Sequence, residues 1–363
     1  MRTVFVGAQE KPNGINSYTY NLAKELTNRG FSSFIMGWGT CNKVIEYEGI
    51  KIIQYKTYGG TMTSLPMLYW RTIPYIIKHR QEIDVVMYQS TEFSVLPSFI
   101  VRMFGMKTCA VIHSLAEDSP KHNKFMKLIL MTFMKLSLIF TKHAITISHA
   151  KAKEIYNRYR KKCAIIPCGV NLPIKENTTS DFLKKHSILS GKYFLSIGRI
   201  DPIKNLDILV EAFKNHKHGE YQLIICGDVS NPYGRKIVKL AQECDRIIFP
   251  GIVSGDVKDS LLRHCAAYCL ISSSEGLPIA LLEGLSYAKP VIVSQIPAIQ
   301  EVLAESEIGL WCDVNNVEMV VDCMRRIETE YEEIKSEGEI AYKIIKNNYT
   351  WKKVCDIYLN HMN

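Results

Sequence analysis

A stretch in the second half of the chain places two carboxylates and two backbone amides where they could bind a sugar. It reads Ser-Ser-Ser-Glu-Gly-Leu-Pro, centred on Glu275, Gly276 and Leu277, and a second acid, Glu283, follows. Pro278 belongs in the first turn of a helix, so the two amides would lie at the positive helix end. Because carboxylates accept hydroxyl hydrogen bonds readily, both acids suit a polyol such as ribose or a hexose.

Two cations flank a loop that follows a predicted strand, residues 193–197. The planar guanidinium of Arg199 can donate two hydrogen bonds to phosphate oxygens, and the ammonium of Lys204 supplies a compact positive charge. The pair therefore suits a diphosphate. Each residue also has an ordinary structural interpretation. The cations would then be solvated, Glu275 would cap the helix and Glu283 would form a salt bridge on the helix surface.

The first half of the chain contributes two further candidates, each after a predicted strand. Gly14 follows residues 3–6, and at a helix start it would let backbone N–H groups approach a phosphate closely. A plain tight turn explains Gly14 equally well, and the spacing does not match the Rossmann dinucleotide or P-loop fingerprints. His113 follows residues 108–112, where a histidine is most often an ordinary hydrogen-bonded residue.

Short runs rich in Val, Ile, Phe and Tyr alternate with longer amphipathic stretches, which is typical of βα units around a parallel sheet. The first series of predicted strands comprises residues 3–6, 33–36, 50–55, 85–88, 108–112, 144–148 and 164–166. The second comprises residues 193–197, 222–226, 246–249, 268–271, 291–294 and 309–312. The pattern predicts an α/β protein with two doubly wound, Rossmann-like domains.

A polar segment rich in turn residues separates the two series and predicts a domain boundary. We expect an N-terminal domain of residues 1–175, a second domain of residues 176–349, and a C-terminal helix within residues 350–363 that crosses back to the first domain. The carboxyl ends of both sheets would face each other across a cleft, where ligands of such sheets bind.

Composition excludes a disordered or collagen-like protein and argues against a disulfide scaffold. The chain has 363 residues, 47% hydrophobic and 22% charged, so it can bury a large core. Eleven cysteines, an odd number without a Cys-x-x-Cys pair, indicate reduced thiols in a cytosolic protein. The first apolar run is too short for a signal peptide, and residues 128–140 are too few to span a membrane.

Charge is unevenly distributed along the chain. Residues 1–180 hold 24 Lys and Arg against 11 Asp and Glu, whereas residues 181–363 hold 21 against 25. The basic half indicates an anionic partner such as lipid head groups, a phosphorylated acceptor or nucleic acid, with a solubilising surface as the alternative. It lacks an aromatic-plus-basic RNA motif and a recognisable DNA-binding helix pair, so no nucleic-acid partner is expected.

Lysines border an apolar run in one segment of the basic half. On a helix, these cations and large apolar groups could lie in the interface plane of an anionic membrane. A buried helix of the first domain, with lysines at its edges, is the alternative. The lysines are Lys121, Lys124, Lys127, Lys135 and Lys142, and the apolar residues are Phe125, Met126, 128–131, Phe133 and Met134.

Several motifs, taken together, are specific enough to indicate a family. Residues 198–205 read Gly-Arg-Ile-Asp-Pro-Ile-Lys-Asn, and the Glu-Gly-Leu-Pro that begins at Glu275 is followed by Glu283. Residues 146–150 read Thr-Ile-Ser-His-Ala, and residues 166–170 read Ile-Pro-Cys-Gly-Val. Over nearly its whole length the chain resembles the family-four retaining glycosyltransferases of GT-B fold. Its first half further resembles transferases that build bacterial capsule, exopolysaccharide or O-antigen chains.

The resemblance implies a nucleotide-sugar donor site in the second domain, while the first domain would bind the acceptor. Arg199 and Lys204 would bind the donor diphosphate, and Glu283 the ribose hydroxyls. Residues 249–253, Ile252 among them, would lie against the base.

The resemblance also assigns the residues around the reacting sugar. Glu275, with the amides of Gly276 and Leu277, would bind the donor sugar. His113 matches a cleft histidine of the family that contacts this sugar near the reacting carbon. His113 and Glu275 are therefore the predicted catalytic residues, and Gly14 is assigned to donor binding.

Three positions depart from the family pattern. Asn13 precedes Gly14 where many relatives have two glycines, Ser114 follows the cleft histidine where many have Asp, and Cys168 replaces an Asn. These positions lie near the acceptor side or the linker. The departures therefore concern the identity of the acceptor more than the donor site.

The implied activity is transfer of a hexosyl group from a nucleotide diphosphate sugar to a hydroxyl of a glycan or lipid-linked glycan, with retention at the anomeric carbon. No Asp-x-Asp motif occurs, so we expect no metal and no cofactor, with Arg199, Lys204 and helix amides balancing the leaving diphosphate. The expected location is the cytoplasm or the inner face of the plasma membrane. A nucleotide-sugar epimerase of similar architecture and a non-catalytic binder of nucleotides or nucleic acid are the alternatives.

Overall fold

The computed structural model describes residues 1–9, 14–118, 122–173, 181–216, 219–303 and 308–362. They form two compact units, one of Met1–Gly169 with Trp351–Asn363 and one of Val170–Thr350. The predicted boundary between residues 175 and 176 lies outside the described residues. In the structure, the chain passes from the first unit to the second between residues 169 and 170, and back to the first between residues 350 and 351.

The first unit is built on an eight-stranded sheet. Its strands are β1 (Arg2–Gln9), β2 (Ser32–Gly39), β3 (Lys43–Tyr47), β4 (Ile50–Lys56), β5 (Val85–Tyr88), β6 (Lys107–Ile112), β7 (His143–Thr146) and β8 (Ala164–Ile165). They lie in the order β3-β4-β2-β1-β5-β6-β7-β8, and only β3 and β4 pair antiparallel. The strand order reverses between β1 and β5, so the carboxyl ends of these two strands flank a switch point of the kind where ligands bind.

Helices connect the strands of the first unit and pack against its sheet. They are α1 (Gly14–Asn28), α2 (Thr61–Lys78), α3 (Val95–Met103), α4 (Lys124–Phe140) and α5 (His149–Tyr159). Helix α1 shows why the sequence forms them, since Tyr18, Leu22 and Leu26 recur at helical spacing and are fully buried. Beyond the helix end, Gly30 has φ +81°, which favours glycine.

The second unit has a six-stranded, fully parallel sheet. Its strands are β9 (Tyr193–Ile197), β10 (Gln222–Cys226), β11 (Ile247–Gly251), β12 (Ala267–Leu270), β13 (Val291–Ser294) and β14 (Leu310–Cys312), in the order β11-β10-β9-β12-β13-β14. The helices are α6 (Asp181–Lys185), α7 (Leu206–Asn215), α8 (Pro232–Ala241), α9 (Gly255–His264), α10 (Ile279–Ser286), α11 (Pro297–Leu303), α12 (Val317–Thr329) and α13 (Tyr331–Asn348). The carboxyl ends of these parallel strands share one edge.

The helix that follows, α14 (Trp351–Met362), is part of the first unit. The buried Tyr358 hydroxyl lies 3.0 Å from Thr3 Oγ1 on β1. On the outer side, Asp356 Oδ1 lies 2.5 Å from Arg29 Nη1. Helix α14 therefore completes the core that the first 169 residues begin.

One strand was not predicted. Strand β3 reads Lys-Val-Ile-Glu-Tyr and is largely exposed, so it lacks the buried apolar run that marks the other strands. It forms an edge hairpin with β4 through Glu48 and Gly49, whose φ values of 46° and 79° fit a two-residue turn. The prediction for residues 144–148 was wrong at its end, because Ser148 accepts a hydrogen bond from the Lys151 amide and caps α5.

All eleven cysteines are free thiols, and most of them are buried. Among the helices of the described residues, none combines the length and hydropathy needed to cross a membrane.

Candidate functional site

The loop after β9 presents the first predicted phosphate-binding cation. The Arg199 side chain is 77% exposed, and its Nη1 lies 3.7 Å from Asp201 Oδ2. Asp201 Oδ1 accepts a hydrogen bond from the Ile203 amide at 3.4 Å. Asn205 has φ 46°, and its Nδ2 donates to the Ile271 carbonyl at 2.9 Å. The loop is therefore tied to the end of β12, while Arg199 is free to reach a ligand from solvent.

The second cation, Lys204, contacts the first predicted sugar-binding acid. Its Nζ lies 2.5 Å from Glu275 Oε1, and the two side chains are only 15% and 12% exposed. Ser272 Oγ donates to the same carboxylate oxygen at 2.7 Å. The Ser273 amide also donates to the Ile203 carbonyl at 2.8 Å. Two loops that are distant in sequence thus form one charged site at the carboxyl edge of the second sheet.

Glu283 and Ile252 both lie in the second unit, on α10 and directly after β11. Glu283 Oε1, on α10, is 2.7 Å from Lys258 Nζ on α9, and both side chains are about one-third exposed. This is the surface salt bridge of the alternative interpretation, and it fixes the direction of the carboxylate. Ile252 directly follows β11 with its side chain exposed. An exposed apolar side chain at this edge can pack against a flat ring.

Gly276 and Leu277 precede α10, which begins at Ile279. The prediction that Pro278 lies in the first turn was wrong by one residue, because its ψ of 88° places it just before the helix. Leu277 is buried and anchors this segment in the core. The two residues are therefore at the helix start, as the proposed role of their amides requires.

Two glycines allow neighbouring backbone and ring atoms to pack closely beneath this site. A Cβ at Gly284 would lie 2.8 Å from the Tyr268 ring, so a larger residue would push α10 away from β12. Tyr268 in turn donates a hydrogen bond to the Ile197 carbonyl at 3.0 Å. A Cβ at Gly227 would lie 2.2 Å from the Gly198 carbonyl oxygen. The strand ends that hold the cations thus pack without room for additional side-chain atoms.

His113, in the first unit, lies in the wall of a cavity of about 220 Å³ after β6. Its Nε2 is 2.9 Å from Gln89 Oε1, and the Tyr18 ring packs edge-on at 5.1 Å. Burial lowers the pKa of His113 to about 4, so its imidazole is neutral near pH 7. Gly14 is the first residue of α1, and residues 10–13 before it lie outside the described residues.

Sequence reasoning missed two polar residues of this cavity wall, Gln89 and Glu92. Glu92 is a buried residue of the cavity lining, and its carboxylate accepts hydrogen bonds from Ser90 Oγ at 2.7 Å and from the Ala116 amide at 3.3 Å. It forms no ion pair within the described part of the chain, and burial raises the pKa of Glu92. Gln89 Nε2 is buried and has no hydrogen-bond partner among the described residues.

The turn that carries these two residues is held rigidly. The Tyr69 hydroxyl accepts from the Ser90 amide at 2.9 Å and donates to the Ser90 carbonyl at 3.1 Å. Trp38 and Phe93 add apolar surface to the cavity wall. The signal that could have found Gln89 and Glu92 is their position just after the buried strand β5, at the same sheet edge as His113.

Chemically, the second unit offers two cations, two carboxylates and a helix start, a set that suits a phosphorylated polyol. The first unit offers a neutral imidazole beside a cavity with one buried carboxylate and one donor, Gln89 Nε2, that has no partner among the described residues. Across the described residues, no group of three or more His, Cys, Asp or Glu is placed to hold a metal ion.

Two family models match the chain. The model of glycosyltransferase family 4 matches residues 12–173, and that of glycosyl transferases group 1 matches residues 179–349. The chain is 28% identical over 208 residues to the O-antigen chain mannosyltransferase RfbU of Salmonella typhimurium, covering 53% of this chain and 56% of that protein. It thus spans little more than half the length of that relative.

Two further likenesses cover more of the chain. A Campylobacter jejuni N-acetylgalactosamine-N,N'-diacetylbacillosaminyl-diphospho-undecaprenol 4-alpha-N-acetylgalactosaminyltransferase is 25% identical over 263 residues, covering 69% of this chain and 70% of that protein. The solved structure of Anabaena Alr3699/HepE in complex with UDP and glucose superposes with a TM-score of 0.81 at 15% identity, covering 100% of this chain and 99% of that one. The expected GT-B fold, with a largely parallel sheet in each of two α/β domains, is confirmed.

Proposed function

The chain belongs to the family-four glycosyltransferases, and on that basis we propose that it transfers a hexosyl group from a nucleotide diphosphate sugar to a hydroxyl of a glycan or lipid-linked glycan. The observation that carries the proposal is the contact of Lys204 with Glu275 beside the exposed Arg199. We assign the enzyme to cell-surface polysaccharide synthesis, in the cytoplasm or at the inner face of the plasma membrane. The likeness to an O-antigen mannosyltransferase supports this assignment.

Donor binding follows from charge and exposure in the second unit. Arg199 and Lys204 would bind the diphosphate and stabilise the negative charge that develops on it as the sugar departs. Glu283, held by Lys258, would accept the ribose hydroxyl hydrogen bonds, and Ile252 would pack against the base. Charge neutralisation by fixed cations makes the proposed reaction independent of a metal ion.

The chemical step that we propose is a front-face displacement with retention. The bond between the anomeric carbon and the phosphate oxygen breaks, and the acceptor oxygen bonds to the same face of the sugar. The acceptor proton passes to the departing phosphate. Glu275 would hold a donor-sugar hydroxyl, because Lys204 and Ser272 fix its carboxylate. His113, being neutral, would orient the sugar through a hydrogen bond.

We assign the cavity of the first unit to the acceptor sugar. Glu92 can accept hydrogen bonds from hydroxyls, and Gln89 Nε2, which has no partner in the described part of the chain, can donate one, so together they complement a polyol. Trp38 and Phe93 provide apolar surface for the C–H faces of a sugar ring. His113 lies in the same wall, so an acceptor bound there would be next to a predicted catalytic residue.

Glu92→Gln is expected to raise the KM for the acceptor about tenfold or more and to leave the KM for the donor unchanged. The expected loss is that of a charge-assisted hydrogen bond, about 1.5–3 kcal/mol. Steady-state kinetics with each substrate varied in turn make the measurement. Glu154→Gln, which alters an ion-paired carboxylate on α5, is the control and should change neither constant. Equal rises in both KM values, or no rise for the acceptor, would remove Glu92 from the acceptor site.

The proposed function predicts release of nucleoside diphosphate that requires an acceptor and survives EDTA. The nucleotide sugars of UDP, GDP and ADP are first ranked by the thermal shift that each produces, because a ligand of the folded state raises stability. The best donor is then incubated with and without acceptor glycan, and the new linkage is determined by NMR.

Each outcome of this experiment separates one function from the others. A retained linkage formed in EDTA supports the proposal. Release without an acceptor, together with a free sugar product, would indicate the epimerase. Nucleotide binding without any release would indicate a binder. An inverted linkage, or activity lost in EDTA and recovered with manganese, would contradict the proposed mechanism.

A further inference from the structure

Exposed apolar side chains are concentrated on one part of the first unit. Half of the large exposed apolar residues in the described chain lie on α3, on the residue after it, and on α4. We call this set the α3–α4 surface. Its members are Leu96, Phe99, Met103, Phe104, Phe125, Leu128, Met131, Phe133, Leu136, Ile139 and Phe140.

Helix α4 is apolar on more faces than the core requires. Leu130, Met134 and Leu138 recur at four-residue spacing and are buried against the unit. Phe125 and Leu128 lie outside this stripe and are 71% and 62% exposed. A helix that packs only against its own domain carries polar residues at such positions. An exposed apolar area of this extent marks an interaction surface.

The exposed side chains of the two helices form a continuous surface. The rings of Phe99 on α3 and Phe140 on α4 pack edge to face, with centroids 5.9 Å apart. Arg102 Nη1 donates to the Phe140 carbonyl at 2.5 Å, which fixes the end of α4 against α3. These contacts hold the two helices together at one end of the surface.

The charged residues on the two helices themselves are all positive. Neither α3 nor α4 contains an Asp or Glu, and Lys124, Lys127 and Lys135 lie on α4. At its end, the pKa of His143 is lowered by burial and by several neighbouring cations, including Arg102 and Lys142. Lys121 lies outside the described residues. An apolar surface bordered by cations is complementary to anionic lipid, in which head groups meet the cations and acyl chains meet the apolar groups.

We propose that the α3–α4 surface docks the enzyme on a bilayer that contains anionic phospholipid. Phe125 and Leu128 enter the boundary between head groups and acyl chains, and Lys124 and Lys135 contact lipid phosphates. This inference goes beyond sugar transfer, since it assigns a membrane-binding mode to residues outside the donor and acceptor sites. It also places the cavity of the same unit near acceptors that are carried on lipids.

Co-sedimentation with vesicles tests the proposal. Vesicles of phosphatidylcholine alone are compared with vesicles containing equal parts of phosphatidylcholine and phosphatidylglycerol, at about 0.1 M and about 0.5 M NaCl, since salt screens surface attraction. Binding is expected only with phosphatidylglycerol, and weaker at high salt. Absence of binding to the anionic vesicles at the lower salt overturns the proposal.

Variants then locate the contact. Phe125→Ser with Leu128→Ser, and separately Lys124→Glu with Lys135→Glu, should each lower the partition coefficient at least tenfold. The matched controls are Val44→Ser with Trp70→Ser and Lys51→Glu with Lys78→Glu, which alter exposed residues elsewhere in the same unit. Equal losses in the controls would mean that the α3–α4 surface is not the contact. Thermal unfolding confirms that each variant is folded.

Activity measurements keep this proposal separate from the proposed function. The double serine variant should lose transfer to an acceptor embedded in anionic vesicles and keep transfer to a soluble glycan. Loss with both acceptors would contradict a docking role confined to the membrane. If the wild-type protein forms a dimer in light scattering that the double serine variant does not form, a second copy covers the surface and the lipid proposal is wrong.

Discussion

Lys204→Ala is expected to lower kcat/KM for the donor by about 30-fold or more. The reason is that a diphosphate without its cation loses about 2 kcal/mol or more of charge-assisted hydrogen bonding, and 1.36 kcal/mol is about tenfold in rate. Arg199→Ala should act in the same direction. Because Arg199 is largely exposed whereas Lys204 is held by Glu275, we expect the loss to be larger for Lys204.

The measurement is the initial rate at low donor concentration, where kcat/KM determines the rate. Lys214→Ala is the matched control, since Lys214 is in the same unit but pairs with Glu243 on the surface. Thermal unfolding should show that the variants fold, because Ser272 still donates to Glu275 when Lys204 is removed. Near-normal transfer by both the Lys204 and the Arg199 variants would remove these cations from the donor site.

Glu275→Gln should lower kcat more than any other substitution in the second unit, whereas Glu283→Gln should mainly weaken nucleotide binding. Glu275 is assigned to the reacting sugar, so its interaction strengthens in the transition state, while Glu283 is assigned to the distant ribose. We expect Glu275→Gln to reduce kcat about 100-fold and Glu283→Gln to raise the dissociation constant of the nucleotide about tenfold.

Calorimetric titration with the nucleoside diphosphate and turnover at saturating donor distinguish the two effects. The contact between Lys204 and Glu275 adds a second test, since two residues that act as one unit give non-additive losses. The double variant Lys204→Ala with Glu275→Gln should therefore lose less than the product of the single losses. Matching changes in KM alone for the Glu275 and Glu283 variants would contradict the assigned roles.

The family, the two-domain fold and most strands could be predicted because they depend on local patterns. Strand β5 was predicted at its observed bounds, since a short apolar run between polar residues can be recognised without its partners. Strand β3 could not be recognised in this way, because it is an exposed edge strand without a buried apolar run. The position of Ser148 depended on a capping hydrogen bond that the periodicity does not reveal.

The contacts within the candidate site were harder to predict. That Lys204 meets Glu275 depends on how the loops after β9 and β12 are held together, for example by Asn205 and Ser273. Neither the motif at residues 198–205 nor the motif that begins at Glu275 shows this contact by itself. Gln89 and Glu92 belong to no motif, and their importance depends on burial and on missing partners. The roles assigned to all of these residues stay predictions until the variants are measured.

The discontinuity of the first unit has a consequence for the order in which the protein is made. The second unit is one uninterrupted segment, Val170–Thr350, but the first also needs α14. At about 5–20 residues per second, ribosomes would make the first sheet well before they reach α14. Until then, the side of β1 that later contacts Tyr358 lacks its cover. The unit synthesised first is thus the last to be completed, and this part of its core stays uncovered while the second unit is translated.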